Sequence, residues 1–184
     1  MFRFIIILLI LNFYYPAFSS TKEKIISQMR LTNILSFEFI QTIGKKNENG
    51  FCIIKYPKKI FCKYSGSNKK TIVSNGKSLV IKNENSGSYY VYPLNRTPLE
   101  LLLDKEYLIS KIITLEPKDI NSKFLIFKIF KNNNEINIFF DKKNFNLIGW
   151  QTVDIYQNLN TTFISSIKIN QKINDKIFIL PKNN

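Results

Sequence analysis

The residues of this chain that could do chemistry are few, and most of the usual ones are missing. There is no histidine among the 184 residues, which removes His-based triads, imidazole general bases and His metal ligands. The two cysteines, Cys52 and Cys62, fall short of the four ligands of a structural zinc site. The 13 acidic residues are dispersed, with no paired-carboxylate spacing, no Gly-rich phosphate loop and no G-x-S-x-G elbow. Nothing here supports an enzyme, a metal or a cofactor. What remains is thiol chemistry. Cys52 and Cys62 stand equally far from Pro57. A three-residue loop centred there would set them opposite one another, placed to join as a cross-strand disulfide in an oxidising compartment; a two-residue loop would offset them by one. The alternative is two buried free thiols acting as small apolar side chains.

The compartment is read from the N-terminus. Met1-Phe2-Arg3 supplies a short start with one positive charge, an apolar run follows from Phe4 toward Tyr15, and Ala17-Phe18-Ser19 places small residues at the positions a signal peptidase requires. The run is interrupted by Asn12 and Pro16 and is too short for a hydrocarbon core. The expectation is a signal peptide over residues 1–19, cleaved near Ser19/Ser20, followed by a single soluble domain over residues 20–184.

Charge narrows the partners. The chain carries 27 Lys and Arg against 13 Asp and Glu, a net charge of +14, and loss of the leader would remove only Arg3. Such a field attracts lipid head groups, lipopolysaccharide or acidic proteins. Only Arg3, Arg30 and Arg96 are arginine. Forked reading of phosphates and guanine favours Arg, so nucleic acid is not expected, and much of the lysine belongs to a solvated surface.

These residues must be held by a mostly β chain. Thr21 to about Ser36 reads as a helix with Thr21 as N-cap and Ile25, Ile26, Met29, Asn33 and Ile34 near one face. Strands are expected over Phe37–Ile43, Phe51–Tyr56, Ile60–Tyr64, Thr71–Ser74, Ser78–Lys82 and Tyr89–Tyr92, with a polar turn over residues 44–50 and a type I′ turn at Asn75-Gly76. Thr97-Pro98-Leu99-Glu100 reads as a capping box opening a leucine-rich helix that runs through Ile112. After Pro117, strands resume over Phe124–Phe130, Glu135–Phe140, Leu147–Tyr156 and Thr162–Asn170, separated by turns at Asn132-Asn133-Asn134, Asn144 and Asn158-Leu159-Asn160; Ile177–Leu180 is a candidate last edge strand. So much sheet with so little helix implies a curved antiparallel sheet or incomplete barrel, closed on one side by helices.

The residues then carry a resemblance. Phe39-Ile40-Gln41, Gly50 at the start of the next strand, Lys55-Tyr56-Pro57, Ile72-Val73-Ser74-Asn75-Gly76, Tyr92-Pro93-Leu94 with Thr97-Pro98-Leu99, and Trp150-Gln151-Thr152-Val153-Asp154 with Asn160-Thr161-Thr162 resemble, in order, the motifs of the LolA family of periplasmic outer-membrane lipoprotein carriers, in its proteobacterial branch. The resemblance implies an eleven-stranded half-closed barrel, a helical lid and an apolar cavity for acyl chains. It implies a monomer that receives lipoproteins from an inner-membrane ABC-type releasing complex and carries them through the periplasm to an outer-membrane receptor or an anionic membrane surface. The cavity lining expected by resemblance is Phe39, Ile54, Tyr56, Ile60, Leu99, Leu102 and Leu103. One departure stands out: Tyr56 occupies the place of the family's arginine, which bonds carbonyls of the lid helices, and Tyr supplies one donor and no charge. Tyr56 itself, Arg96 and Lys55 are the candidates for lid control. Two other readings fit the same residues: a periplasmic sensor that binds lipid or lipoprotein on this fold, and a small exported enzyme acting on envelope polymers.

Overall fold

The structure, a computed structural model, describes residues 20–66, 69–120, 123–131, 134–153 and 158–182. The expected leader, its cut after Ser19, and the turn residues Asn132 and Asn133 lie outside them, as do Asp154 and Tyr156.

Eleven strands form one antiparallel sheet: β1 (Ile34–Ile43), β2 (Lys46–Lys55), β3 (Lys59–Tyr64), β4 (Lys70–Asn75), β5 (Ser78–Asn83), β6 (Tyr89–Pro93), β7 (Lys118–Ile120), β8 (Phe124–Lys131), β9 (Asn134–Asp141), β10 (Leu147–Val153) and β11 (Leu159–Ile169). Their order is β6-β5-β4-β3-β2-β1-β11-β10-β9-β8-β7. The chain is therefore two meanders joined where β1 pairs with β11, and the sheet is not closed: β6 and β7 are its two ends. Three helices complete the fold: α1 (Thr21–Leu31) before β1, and α2 (Leu99–Leu103) and α3 (Lys105–Thr114) between β6 and β7. Both free edges thus lead into the crossover that carries α2 and α3.

Strand alternation decides which face is wet. Leu35, Phe37 and Phe39 of β1, Cys52 and Ile54 of β2, and Ile60 and Cys62 of β3 are buried on the concave side, in one cluster with Leu102, Leu103, Leu108, Ile109 and Ile112 of the helices and Ile25 and Ile26 of α1. Side chains at alternate strand positions share a face, and here that face and the helices share one core. Gly50 lies in the middle of β2, not at its start, opposite Phe39 and Tyr64. The Phe39 and Tyr64 rings meet edge to face there, 4.8 Å apart, and a Cβ on Gly50 would stand 2.3 Å from the Lys63 carbonyl oxygen and 2.9 Å from Phe39. Close by, the hydroxyl of Tyr64 donates to Gln41 Oε1 (3.0 Å), whose amide nitrogen donates to Thr162 Oγ1 (3.1 Å), so the polar residues of this buried patch satisfy one another.

Several element boundaries differ from the sequence expectation. α1 is capped by Ser20 rather than Thr21, in a full capping box with Glu23, and it stops at Leu31. Asn33 and Ile34 fit the helical face, but Asn170, from the far end of the sheet, accepts from both their backbone N–H groups and donates to the Leu31 carbonyl, which releases the chain into β1. The polar stretch 44–50 is a tight turn at Gly44-Lys45 followed by five more strand residues, since Ile43 pairs with Lys46. In the β4–β5 hairpin the positive φ falls on Gly76 (+99°); Asn75 stays in its strand and its Oδ1 accepts from the Lys77 and Ser78 amides. Leu159 and Asn160 belong to β11, paired with Val153 and Thr152, not to a turn. The expected last strand is instead a 3-10 turn over Asp175–Phe178.

Candidate functional site

Beneath α1 and α3, at the rim of the concave face, lies a cavity of about 30 Å³, the room of about one ordered water. Its apolar wall comes from Met29 of α1, Leu35 of β1, Leu108 of α3, Phe140 of β9, Leu147 of β10 and Ile169 of β11; Gln28, Thr32, Tyr56, Lys105 and Asn146 supply the polar part. The Oδ1 of Asn146 is buried without a hydrogen-bond partner among the described residues. Burial raises the Tyr56 phenol pKa well above its ordinary value, so that group stays neutral and acts only as a hydroxyl.

The cation in this wall is Lys105, in the first turn of α3. Its ammonium donates to the Thr32 carbonyl at 3.0 Å and to the Arg30 carbonyl and Asn33 Oδ1 at 3.3 Å, and stands 5.5 Å above the centre of the Tyr56 ring. The last carbonyls of a helix lack partners and carry the negative end of its dipole. A lysine there satisfies them, while the aromatic face adds a cation–π contact. The arrangement is reciprocal: Lys22, in the first turn of α1, donates to the Ile113 and Leu115 carbonyls at the end of α3 and pairs with Glu116 at 2.8 Å. The two antiparallel helices thus cap each other through one lysine each.

A second set of charges fastens α2. Glu100 is buried and receives hydrogen bonds from Lys58 (3.2 Å) and Lys131 (3.1 Å); Lys131 also reaches Asp104 at 3.3 Å and Lys58 approaches it at 3.5 Å. The backbone N–H of Lys58 donates to the Leu103 carbonyl at 3.0 Å. Lys58 closes the three-residue loop Tyr56-Pro57-Lys58 between β2 and β3, with a cis Tyr56–Pro57 bond and φ of +65° at Lys58; Lys131 ends β8. One carboxylate therefore ties the helix to strands on both halves of the sheet. The expected capping box does not form. Thr97 Oγ1 donates to the Leu94 carbonyl, and Glu100 is held by the two ammonium groups instead of reaching back. The single leucine-rich helix is also two helices, broken at Asp104, whose carboxylate accepts from the Tyr107 amide.

Of the residues expected to line a cavity, Tyr56 does so. Phe39, Ile54, Ile60, Leu102 and Leu103 are buried in the core, and Leu99 is half-buried against it. Of the lid candidates, Tyr56 is the platform under Lys105. Lys55 pairs at 2.6 Å with Asp175 of the C-terminal 3-10 turn, holding that carboxyl below its ordinary pKa by hydrogen bond and charge. Arg96 is exposed and forms no ion pair among the described residues. Cys52 and Cys62 are directly opposite in register and joined by a disulfide, as the three-residue loop requires. Lys58, Glu100, Lys105, Lys131 and Asn146 were not singled out for these contacts by sequence reasoning. Glu100 alone had a visible signal, an acid inside a run of leucines.

The profile of the family described as outer membrane lipoprotein carrier protein LolA matches residues 30–180. The chain belongs to the LolA family. No curated protein matches it in sequence. Among solved structures, an uncharacterized conserved protein from Thermus thermophilus superposes with a TM-score of 0.52 at 6% identity, covering 89% of this chain and 96% of that one. A LolA superfamily protein from Nitrosomonas europaea gives 0.47 at 8% identity, covering 88% and 99%. The MucA/MucB complex of Pseudomonas aeruginosa gives 0.47 at 5% identity, covering 90% of this chain and 62% of that one. Identities this low speak to the fold alone, and the fold they share is the LolA half-barrel. In this LolA-family chain the cation beside residue 56 comes from α3, not from the hairpin.

Proposed function

We propose that this LolA-family chain is a periplasmic carrier that shelters the acyl chains of lipoproteins released from the inner membrane and takes them to the outer membrane. The observation that carries this reading is an apolar concave face covered by helices fastened mainly through ionic and hydrogen-bonded links at Lys105, Lys22 and Glu100. Acyl chains in water cost about 0.8 kcal/mol per CH₂, so a carrier must cover them. It must also let go, and charge-assisted links exposed at the rim re-form after opening in a way that a continuous apolar seam does not. The donor in this reading is an inner-membrane ABC-type releasing complex, and the acceptor an outer-membrane receptor or membrane.

The test is release of lipoprotein from spheroplasts by the purified protein, with mass spectrometry of whatever co-purifies. Diacylated or triacylated lipopeptide in stoichiometric amount is the expected result. Protein that releases nothing and binds no acylated peptide would sink the carrier reading, whether or not it binds protein partners.

A further inference from the structure

The free end of the sheet at β6 is unusual in what it shows to solvent. Its three central residues are all apolar or aromatic and all exposed: Tyr90 (52%), Val91 (54%) and Tyr92 (42%). Tyr90 pairs with Ile81 and Tyr92 with Leu79, which puts both tyrosines on the concave side, where their rings stack 6.5 Å apart. Val91 pairs with Val80 on the convex side. Consecutive strand residues point to opposite faces, so the apolar surface here is the edge itself. β6 is last in the strand order, and nothing among the described residues pairs with its outer side. A partner docked on one face would leave the other wet. A lipid–water interface surrounds an inserted edge on both faces, and it keeps the tyrosine hydroxyls and free backbone groups within reach of head groups and water.

The surroundings have the matching charge. Lys82 pairs with Tyr89, and Lys82 Nζ donates to the Lys182 carbonyl of the C-terminal segment. The Lys77 carbonyl accepts from the Leu94 amide just beyond the strand, and Arg96 follows two residues later. Against Lys77, Lys82, Arg96 and Lys182 these bordering segments set one acid, Glu84. Aromatic side chains at an edge, ringed by basic residues on a chain of net charge +14, fit an anionic bilayer surface. We propose that β6 is the edge by which this protein settles on an anionic membrane, with Tyr90, Val91 and Tyr92 in the head-group layer and the bordering cations on lipid phosphates.

The experiment is sedimentation with vesicles of phosphatidylethanolamine and phosphatidylglycerol, beside vesicles of phosphatidylcholine alone. Wild type should bind the anionic vesicles, barely bind the neutral ones, and come off near about 0.5 M salt, where screening shortens to a few ångströms. Tyr90→Ser with Tyr92→Ser should weaken binding at least about fivefold, and Lys77→Gln with Arg96→Gln by about fivefold per charge removed. Because all four side chains are exposed or at the rim, the thermal midpoint should stay within a few degrees of wild type, which keeps the comparison interpretable. Ile40→Ser, at an exposed apolar residue of the central strand β1, should leave binding unchanged. The proposal is overturned by equal binding to neutral vesicles, by an Ile40→Ser loss as large as the tyrosine variant's, or by unaltered binding of the tyrosine variant. It is overturned equally if β6 proves to pair with a second copy, seen as a concentration-dependent dimer that the tyrosine variant abolishes without any vesicle binding.

Discussion

Glu100 sits between two lysines from opposite halves of the sheet, so its loss acts on more than one contact. Glu100→Ala would leave the Lys58 and Lys131 ammonium groups facing each other without their anion. The expected cost is about 1–3 kcal/mol, below the figure for a fully buried pair because both lysines keep some water. Glu100→Gln, which retains the shape, should cost less yet still loosen α2, read as faster uptake of an apolar dye by folded protein. The pH dependence has a definite sign. Burial disfavours the Lys131 ammonium, but hydrogen bonds and attraction from Glu100 and Asp104 outweigh it and raise its pKa above the ordinary 10.5. A raised lysine stabilises the fold fully below its unfolded pKa and loses that contribution as pH climbs through the folded value. Dye uptake should therefore rise above about pH 10.5 in wild type, and a Lys131→Met variant lacking that step is the control. Gly50 is a second position where one atom matters. A methyl there meets a neighbouring strand's backbone, which cannot turn aside as a side chain would, so Gly50→Ala should cost about 1–3 kcal/mol by chemical denaturation. An unchanged midpoint would show that β2 and β3 separate more easily than their pairing suggests.

At the scale of elements, the mutual capping of α1 and α3 predicts that Lys105→Met frees the end of α1. Amide exchange should quicken over the last turn of α1 and at Thr32 and Asn33 while β1, β2 and β11 keep their protection. Lys105→Arg should restore most of the difference, since a guanidinium also caps carbonyls and stacks on an aromatic ring. Exchange that quickens everywhere would make Lys105 a general stabiliser. The β2–β3 hairpin predicts a native protein without alkylatable thiols until reductant is added; two thiols reacting in non-reduced periplasmic material would contradict it. Elements set by local chemistry were the ones readable in advance: the hairpin symmetric about Pro57, the Asn-Gly turn, the alternating strands. Those that failed were set by distant groups. α1 ends where Asn170 takes its last donors, more than a hundred positions away in sequence. Thr97 and Glu100 spell a cap, but Lys58 and Lys131 offer the carboxylate two cations. The candidate site was only half visible for a similar reason. Alternation shows that Ile54, Ile60 and Leu102 face inward, yet no pattern says whether an inward face is packed or hollow. Nor do the many scattered lysines announce that Lys58, Lys105 and Lys131 are the structural ones.

For the whole molecule, the covered cavity has room for about one water, so an acyl chain enters only if the helices move off the sheet. A diacylated lipopeptide should raise amide exchange in α2 and α3 even as it raises overall stability, by about 2.7 kcal/mol when present at a hundredfold excess over its dissociation constant. Uniform slowing across the helices would mean that the ligand sits elsewhere. Opening of this kind can be followed without any label. Trp150 is the one tryptophan of the chain, buried on β10 with its ring edge-on to Phe37 at 6.0 Å. Phe37 lies in the β1 strand that joins the two meanders. Emission from the protein is therefore a single-site optical signal from the hinge line of the half-barrel. Its wavelength and quenching by small solutes should separate a lifted lid, which wets the rim, from a sheet that flattens and exposes the indole itself.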